Sequence, residues 1–258
     1  MMSDSDKKKY KTNYLSQVIC QLTFPKQDTI TDEVLKSYKD SLGKAYSTLS
    51  TIRQRGIIIE GDGSAIKSHE EDNVLWQIES SDASHVITIT NESFAITYAK
   101  YIKFRDYKGT VADAQRLFFE TVKCIETINR VGLRYVNQVA PKKLDNGWQQ
   151  YINPKLTASL DFVDPTLLRR SMHTMFIQHD EDVKVNFNYG LFNEYFPAPI
   201  SKDEFILDFD AFTDSPRKFE ECASLLEGFN KVIAIYFERS ITDDLREEMG
   251  VIEDGTEA

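Results

Sequence analysis

The stretch that decides the fold lies at the middle of the chain: Asn129-Arg130-Val131-Gly132-Leu133-Arg134-Tyr135-Val136-Asn137-Gln138-Val139. It follows an amphipathic helical pattern and precedes a turn rich in Lys, Asp and Gly. Because alternate side chains of a strand point to opposite faces, one face holds Val131, Leu133, Tyr135, Asn137 and Val139, and the other holds Arg134, Val136 and Gln138. The stretch therefore predicts a strand that ends a first half of the chain.

Arg134 is the best candidate for a polar site in this strand. An arginine in the middle of a strand must reach solvent, a carboxylate or a ligand. One interpretation is a structural ion pair with Asp208 or Asp210 on a neighbouring strand. The other is recognition of an anion or carboxylate, assisted by Asn137, which would make the protein a sensor of a small anionic ligand or nucleotide.

Composition narrows the class of protein. The 258 residues are 41% hydrophobic and 12% aromatic, as in a folded globular protein. With 31 basic and 41 acidic residues the net charge is -10, which works against non-specific binding of nucleic acid. The three cysteines are far apart in sequence, which is typical of reduced thiols in a cytoplasmic protein. The sequence shows no membrane-spanning run or signal peptide, so we expect no membrane partner.

The pattern before the central strand predicts strands and two helices. Apolar spacings of three and four predict the helices, and alternation between turn residues predicts the strands. The predicted strands cover 14–24, 56–60, 74–79, 85–90 and 93–101, and the predicted helices cover 28–55 and 110–128.

The second half repeats this order of elements. An aromatic connector at 148–154 precedes strands at 171–179, 183–191 and 204–209, a helix at 215–237 and a last helix that begins after Thr242 and ends before Gly250. We therefore expect an α+β fold, an antiparallel sheet with helices packed on one face, for which two similar strand-meander-plus-helix halves are one arrangement. The expected organisation is a disordered tail at 1–11, halves at 12–140 and 141–250, and a disordered tail at 251–258.

Three segments together carry a family resemblance. They are Gly132-Leu133-Arg134-Tyr135-Val136-Asn137, Leu207-Asp208-Phe209-Asp210 and Phe237-Glu238-Arg239-Ser240-Ile241-Thr242-Asp243-Asp244-Leu245-Arg246-Glu247-Glu248-Met249-Gly250. In this order the chain resembles a sporadically distributed family of uncharacterised prokaryotic proteins of similar length. Patchy distribution is typical of accessory genes, so the resemblance implies a component of a defence or toxin-antitoxin locus. The family has no settled activity, so the resemblance assigns none to this chain.

Asp208 and Asp210 offer the one hypothesis of catalysis. On a strand they share a face, and two carboxylates are a start for a divalent-metal site in a metal-dependent hydrolase or nuclease. A third carboxylate or a histidine at a recognisable spacing is missing from the sequence, and His173 and His179 would lie about 20 Å apart on a strand. No nucleophile or phosphate-binding motif occurs. We therefore expect no cofactor, and favour a protein that is not an enzyme.

Aromatic residues in the connections support a different hypothesis. Such residues either anchor a partner or fold back to seal the core; here they are Trp148, Tyr151, Tyr195 and Phe196. The leading hypothesis is a non-catalytic binding or adaptor protein that engages a partner protein or peptide through these residues and Arg134 with Asn137. Homo-oligomers are compatible with it, because antiparallel sheets have edges to cover.

Overall fold

A computed structural model describes residues 9–61, 66–99 and 103–252. Nine strands form an antiparallel sheet, and with five helices they give the expected α+β fold. None of the helices in the described residues is long and apolar enough to cross a membrane. The chain forms two compact units that are interleaved in sequence. We call them the meander unit, residues 19–131 and 214–224, and the Arg134 unit, residues 9–18, 132–213 and 225–252.

The meander unit contains four strands that follow one another in the sheet. They pair antiparallel in chain order, β3 with β4, β4 with β5 and β5 with β6. The strand β2 at Leu15–Thr23, whose second part belongs to this unit, alternates buried with less buried residues. The four meander strands are β3 (Tyr46–Gly61), β4 (Ile66–Ser80), β5 (His85–Thr90) and β6 (Ser93–Tyr98).

Two helices complete the core of the meander unit, α1 at Asp32–Ser41 and α2 at Phe104–Val122. Tyr38 and Phe118 are fully buried and meet edge to face with ring centroids 5.5 Å apart. The Tyr38 hydroxyl donates to the Ala114 carbonyl, so its one polar group is satisfied inside the core. These contacts join α1 to α2.

The predicted helix at 28–55 is wrong beyond Ser41. The backbone turns at Gly43, which has φ +71°, a region that glycine enters at little cost. Tyr46, Leu49 and Ile52, whose spacing of three suggested a helix, instead lie on the long strand β3. The strand predicted at 56–60 is therefore only the end of β3.

The second predicted helix is displaced in sequence. It begins at Phe104 rather than 110 and ends at Val122, because Lys123 adopts a left-handed conformation with φ 59°. Ile128, which the pattern placed on the helix, instead forms a β-bridge with Arg217. The strand expected at 93–101 ends at Tyr98, and residues 100 and 101 of the expectation lie outside the described residues.

The Arg134 unit is built on four neighbouring strands in the order β7-β10-β9-β8. The central strand is confirmed: β7 runs Arg130–Val139, and from Gly132 onward it belongs to this unit. The odd-numbered side chains of β7 are buried, and the Tyr135 hydroxyl donates to Asn230 Oδ1 on the helix α4. The other elements are α3 (Pro154–Thr157), β8 (Ser171–Gln178), β9 (Lys184–Leu191), β10 (Phe205–Thr213), α4 (Phe219–Ser240) and α5 (Asp243–Met249).

The C-terminal segment of the family resemblance is structural. Arg246 on α5 forms an ion pair with Glu238 at 2.9 Å, with both side chains mostly buried. The Tyr10 hydroxyl donates to the same Glu238, and the Tyr14 hydroxyl donates to Glu248. The two tyrosine hydrogen bonds therefore join the first described residues of the chain to its last two helices.

The expected tails and halves differ from the observed organisation. Two short strands, β1 (Lys9–Tyr10) and β11 (Val251–Ile252), pair with each other inside the ranges expected to be disordered. Residues 1–8 and 253–258 of those ranges lie outside the described part of the chain. The two units also do not divide near residue 140, because a strand of an antiparallel sheet pairs with segments that are distant in sequence.

Candidate functional site

Arg134 and Asp208 form a two-pronged ion pair on neighbouring strands. Arg134 Nε donates to Asp208 Oδ1 and Arg134 Nη2 donates to Asp208 Oδ2, each at 2.7 Å. The Asp208 side chain is 6% exposed and that of Arg134 is 45% exposed. The hydrogen bonds to Asp208 raise the pKa of Arg134 above its usual value. Of the two interpretations of Arg134, the structural ion pair is the one that these contacts support.

The ion pair continues as a polar row across four strands. Asn188 on β9 is the register partner of Asp208, and its Nδ2 lies 3.4 Å from Asp208 Oδ2. Thr174 on β8 donates to Asn188 Oδ1 at 2.7 Å. Both carboxylate oxygens of Asp208 thus already accept hydrogen bonds, and Arg134 has two of its donors committed to them.

Asn137 lies on the opposite, buried face of β7. Its side chain is almost inaccessible, and its Nδ2 donates to the Leu207 carbonyl at 3.1 Å. Arg134 and Asn137 therefore do not converge on one ligand. The role that the contacts give Asn137 is a cross-strand hydrogen bond inside the sheet.

The structure lends the metal hypothesis no support. Asp210 faces Asn186 in the β9 register, and Asp208 is bound by Arg134. Within the described residues, no group of three or more His, Cys, Asp and Glu side chains is arranged to hold a metal ion. His173 contacts Ser159 and Ser171, and His179 contacts the hydroxyl of Tyr236.

Trp148 and Tyr151 belong to the core of the Arg134 unit. Trp148 is 9% exposed and its ring lies 5.4 Å from that of Phe205. Tyr151 is 6% exposed, and its carbonyl accepts a hydrogen bond from the Thr242 backbone. Of the two roles considered for the aromatic residues, these contacts support closing of the core for Trp148 and Tyr151 rather than binding of a partner.

Tyr195 and Phe196 have the opposite environment. They lie in the loop between β9 and β10, which we call the aromatic loop, residues 192–201. Phe192 is 48% exposed, Tyr195 is 62% exposed and Phe196 is 57% exposed. Three large rings in one loop thus face solvent, whereas such side chains are ordinarily buried.

Asn193 holds the aromatic loop in a defined conformation. It is buried, and its Nδ2 donates to the Arg169 carbonyl at 3.0 Å and to the Ala198 carbonyl at 2.7 Å. Its Oδ1 accepts from the Tyr195 backbone N–H at 3.0 Å. All three hydrogen bonds of this side chain are made with backbone groups. They hold the loop in this conformation without a contribution from a partner.

A small cavity lies beside the aromatic loop. Its walls include Gln138, Phe192, Tyr195, Ile200 and Ile206. Lys202 and Glu194, which also line it, form an ion pair at 2.8 Å. Exposed rings of the aromatic loop and an ion pair thus lie together at the walls of one small depression.

Sequence reasoning found Tyr195 and Phe196 but missed Asn193. Asn193 Oδ1 accepts from the backbone N–H two residues later, which makes an Asx turn, and Asn is a residue type that favours this turn. Its bond to the Arg169 carbonyl joins residues 24 positions apart, and no local pattern reports such a contact.

Comparison with known proteins gives no family assignment. No family profile matches the chain, and no curated protein is significantly similar to it.

Proposed function

We propose that this protein is a non-catalytic binding module that holds a partner protein through its aromatic loop. The observation that carries the proposal is the simultaneous exposure of Phe192, Tyr195 and Phe196 on a loop that Asn193 already orders. Aromatic residues dominate binding energy at protein interfaces. A loop that is ordered before binding loses less conformational entropy when the partner docks.

The chemistry of the site sets the chemistry of the partner. The rings offer apolar area, and the neighbouring cavity is lined by both apolar residues and the Lys202–Glu194 ion pair. We infer a partner segment that inserts an apolar side chain and surrounds it with polar groups, as interface cores and rims do. The family resemblance extends the proposal to a partner encoded in the same defence or toxin-antitoxin locus, and this extension rests on the sequence alone.

The test is affinity purification of the full chain from cells that encode it, followed by mass spectrometry. The loop variant carries Tyr195→Ala and Phe196→Ala. The matched control is Phe162→Ala, because Phe162 is 88% exposed but lies outside the aromatic loop. A stoichiometric partner that is lost from the loop variant and kept by the control is the expected result. Recovery of the same proteins with all three chains would overturn the proposal.

A further inference from the structure

The strand β8 leaves one edge open. It is the last strand in the order of the sheet, and β9 is its only strand neighbour within the described residues. Just beyond the Gln178–Lys184 pair that ends the β8–β9 register, the His179 N–H donates to the Val183 carbonyl at 2.9 Å. Because hydrogen-bonded positions alternate in an antiparallel pair, the odd-numbered residues of β8 bond to β9. The backbone groups of Met172, Thr174, Phe176 and Gln178 therefore point away from the sheet.

The composition of β8 does not protect this edge. Its sequence Ser171-Met172-His173-Thr174-Met175-Phe176-Ile177-Gln178 contains no Lys, Arg, Asp, Glu or Pro. Natural edge strands are usually protected by such residues, by bulges or by a covering element. The Phe176 side chain is 62% exposed and that of Met175 is 40% exposed. An uncharged, extended and partly apolar edge is suited to pair with another strand.

The charges at the two ends of β8 identify the strand that it suits. Arg169 and Arg170 precede β8, and Asp180, Glu181 and Asp182 follow it. An antiparallel second copy of β8 brings the basic end of each copy to the acidic end of the other. A parallel copy would bring like charges together. The ends of β8 are therefore complementary to a second copy in the antiparallel direction alone.

We propose that two copies of this chain associate through antiparallel pairing of their β8 strands, with a twofold axis at Met175. Residues opposite each other in a sheet must point to the same face, so the axis must pass through a residue position. An axis at Met175 places Thr174 opposite Phe176 of the second copy. An aromatic residue opposite a β-branched residue is a favourable cross-strand pair. It also places Arg170 opposite Asp180 and Arg169 opposite Glu181 of the second copy.

Sedimentation velocity of the full chain tests the association. We expect a species of twice the 29.7 kDa chain mass that forms with rising concentration. Thr174→Pro should abolish it, because proline removes an outward N–H that β9 does not use. Thr174→Val keeps that N–H and should keep the dimer. A monomer at every concentration up to about 100 µM, or a dimer that persists in Thr174→Pro, would overturn the proposal.

A charge exchange tests the register and does not depend on how Thr174→Pro folds. Arg169→Glu and Glu181→Lys should each weaken the dimer about tenfold when alone, because each brings like charges together. Mixing the two variants should restore association, since both ends of the mixed dimer are complementary. Asp180 is left intact because its carboxylate accepts from the backbone of the β8–β9 turn. Failure of the mixture to associate more tightly than either variant alone would overturn the register.

The purified chain suffices for these measurements, and so they are independent of the aromatic loop. The Tyr195→Ala and Phe196→Ala loop variant should dimerise like the wild type.

Discussion

The guanidinium of Arg134 on β7 donates two parallel hydrogen bonds of 2.7 Å to the carboxylate of Asp208 on β10. This geometry is the strong form of an arginine–carboxylate pair. It explains why an arginine and an aspartate can both stand in the middle of strands. It also commits both carboxylate oxygens of Asp208 and two guanidinium nitrogens of Arg134 to each other.

Removing Arg134 should destabilise the fold. Within the described residues, Arg134→Ala leaves the buried Asp208 carboxylate with the 3.4 Å contact to Asn188 as its one side-chain hydrogen bond, and we expect a loss of about 2–3 kcal/mol in the free energy of unfolding. Asp208→Asn should cost less, because its partner Arg134 is 45% exposed and can turn to water. Chemical denaturation of both single variants and the double variant gives the coupling energy. Additive effects of the two changes would contradict a direct ion pair.

Removing Asn193 should loosen the aromatic loop without removing its rings. Asn193→Ala deletes three hydrogen bonds from a buried position. We expect the closed conformation of the loop to lose about 1–3 kcal/mol of stability relative to open conformations. Limited proteolysis with chymotrypsin should then cut faster after Tyr195. Asn146→Ala is the matched control, since Asn146 is exposed and its side chain donates to Gln150 at 3.3 Å, outside the aromatic loop. Equal cleavage of both variants would show that Asn193 does not order the loop.

The three cysteines should differ in reactivity. Burial raises the pKa of Cys20 to about 12 and that of Cys222 to about 12, which suppresses the reactive thiolate. Cys124 is partly exposed and lies 3.0 Å from the Thr29 hydroxyl. Titration with a thiol reagent should therefore label one cysteine rapidly in the native protein and three after denaturation. Cys124→Ser should remove the rapid phase; a rapid phase that survives in this variant would contradict the assignment.

His85 should make the meander unit sensitive to mild acid. Its ring stacks on Tyr98 at 4.4 Å, and burial lowers its pKa below the usual 6.5, although Asp82 opposes the shift. The unfolded chain therefore binds a proton at a pH where the folded chain does not. The resulting stability is present above pH 6.5 and is lost as the pH falls from 6.5 through the lower pKa of His85 in the folded chain.

The measurement is the unfolding midpoint of the wild type and of His85→Gln between pH 8 and pH 5. Glutamine keeps hydrogen-bonding groups near the Tyr46 hydroxyl, which lies 2.8 Å from His85 Nε2, but does not titrate. The wild type should lose more stability than the variant over this range. Parallel curves for the two proteins would show that His85 is not the titrating group.

Local patterns predicted the fold class well and the element boundaries less well. The strands β5, β7, β8 and β9 follow clear alternation between turn residues and were predicted to within two residues. The helix predicted at 28–55 failed because Tyr46, Leu49 and Ile52 match a helical spacing, whereas pairing with β4 makes their segment a strand. Tertiary pairing overrides local periodicity there.

The candidate site was predictable in part. The sequence offered Arg134 with Asp208 as one alternative, because a mid-strand arginine needs a nearby carboxylate. It did not separate the buried Trp148 and Tyr151 from the exposed Tyr195 and Phe196. Exposure depends on the elements that pack over each connection, such as the contact of Trp148 with Phe205, and these residues are 57 positions apart. No spacing rule reports such a contact.

The most direct measurement of the central claim is the affinity of the recovered partner for purified chains. Calorimetric titration should show that the loop variant, which carries Tyr195→Ala and Phe196→Ala, has a dissociation constant about 100-fold higher than that of the wild type, because it has lost its aromatic anchors. Phe162→Ala should leave the constant unchanged. If the loop variant binds the partner as tightly as the wild type, the aromatic loop is not the binding site.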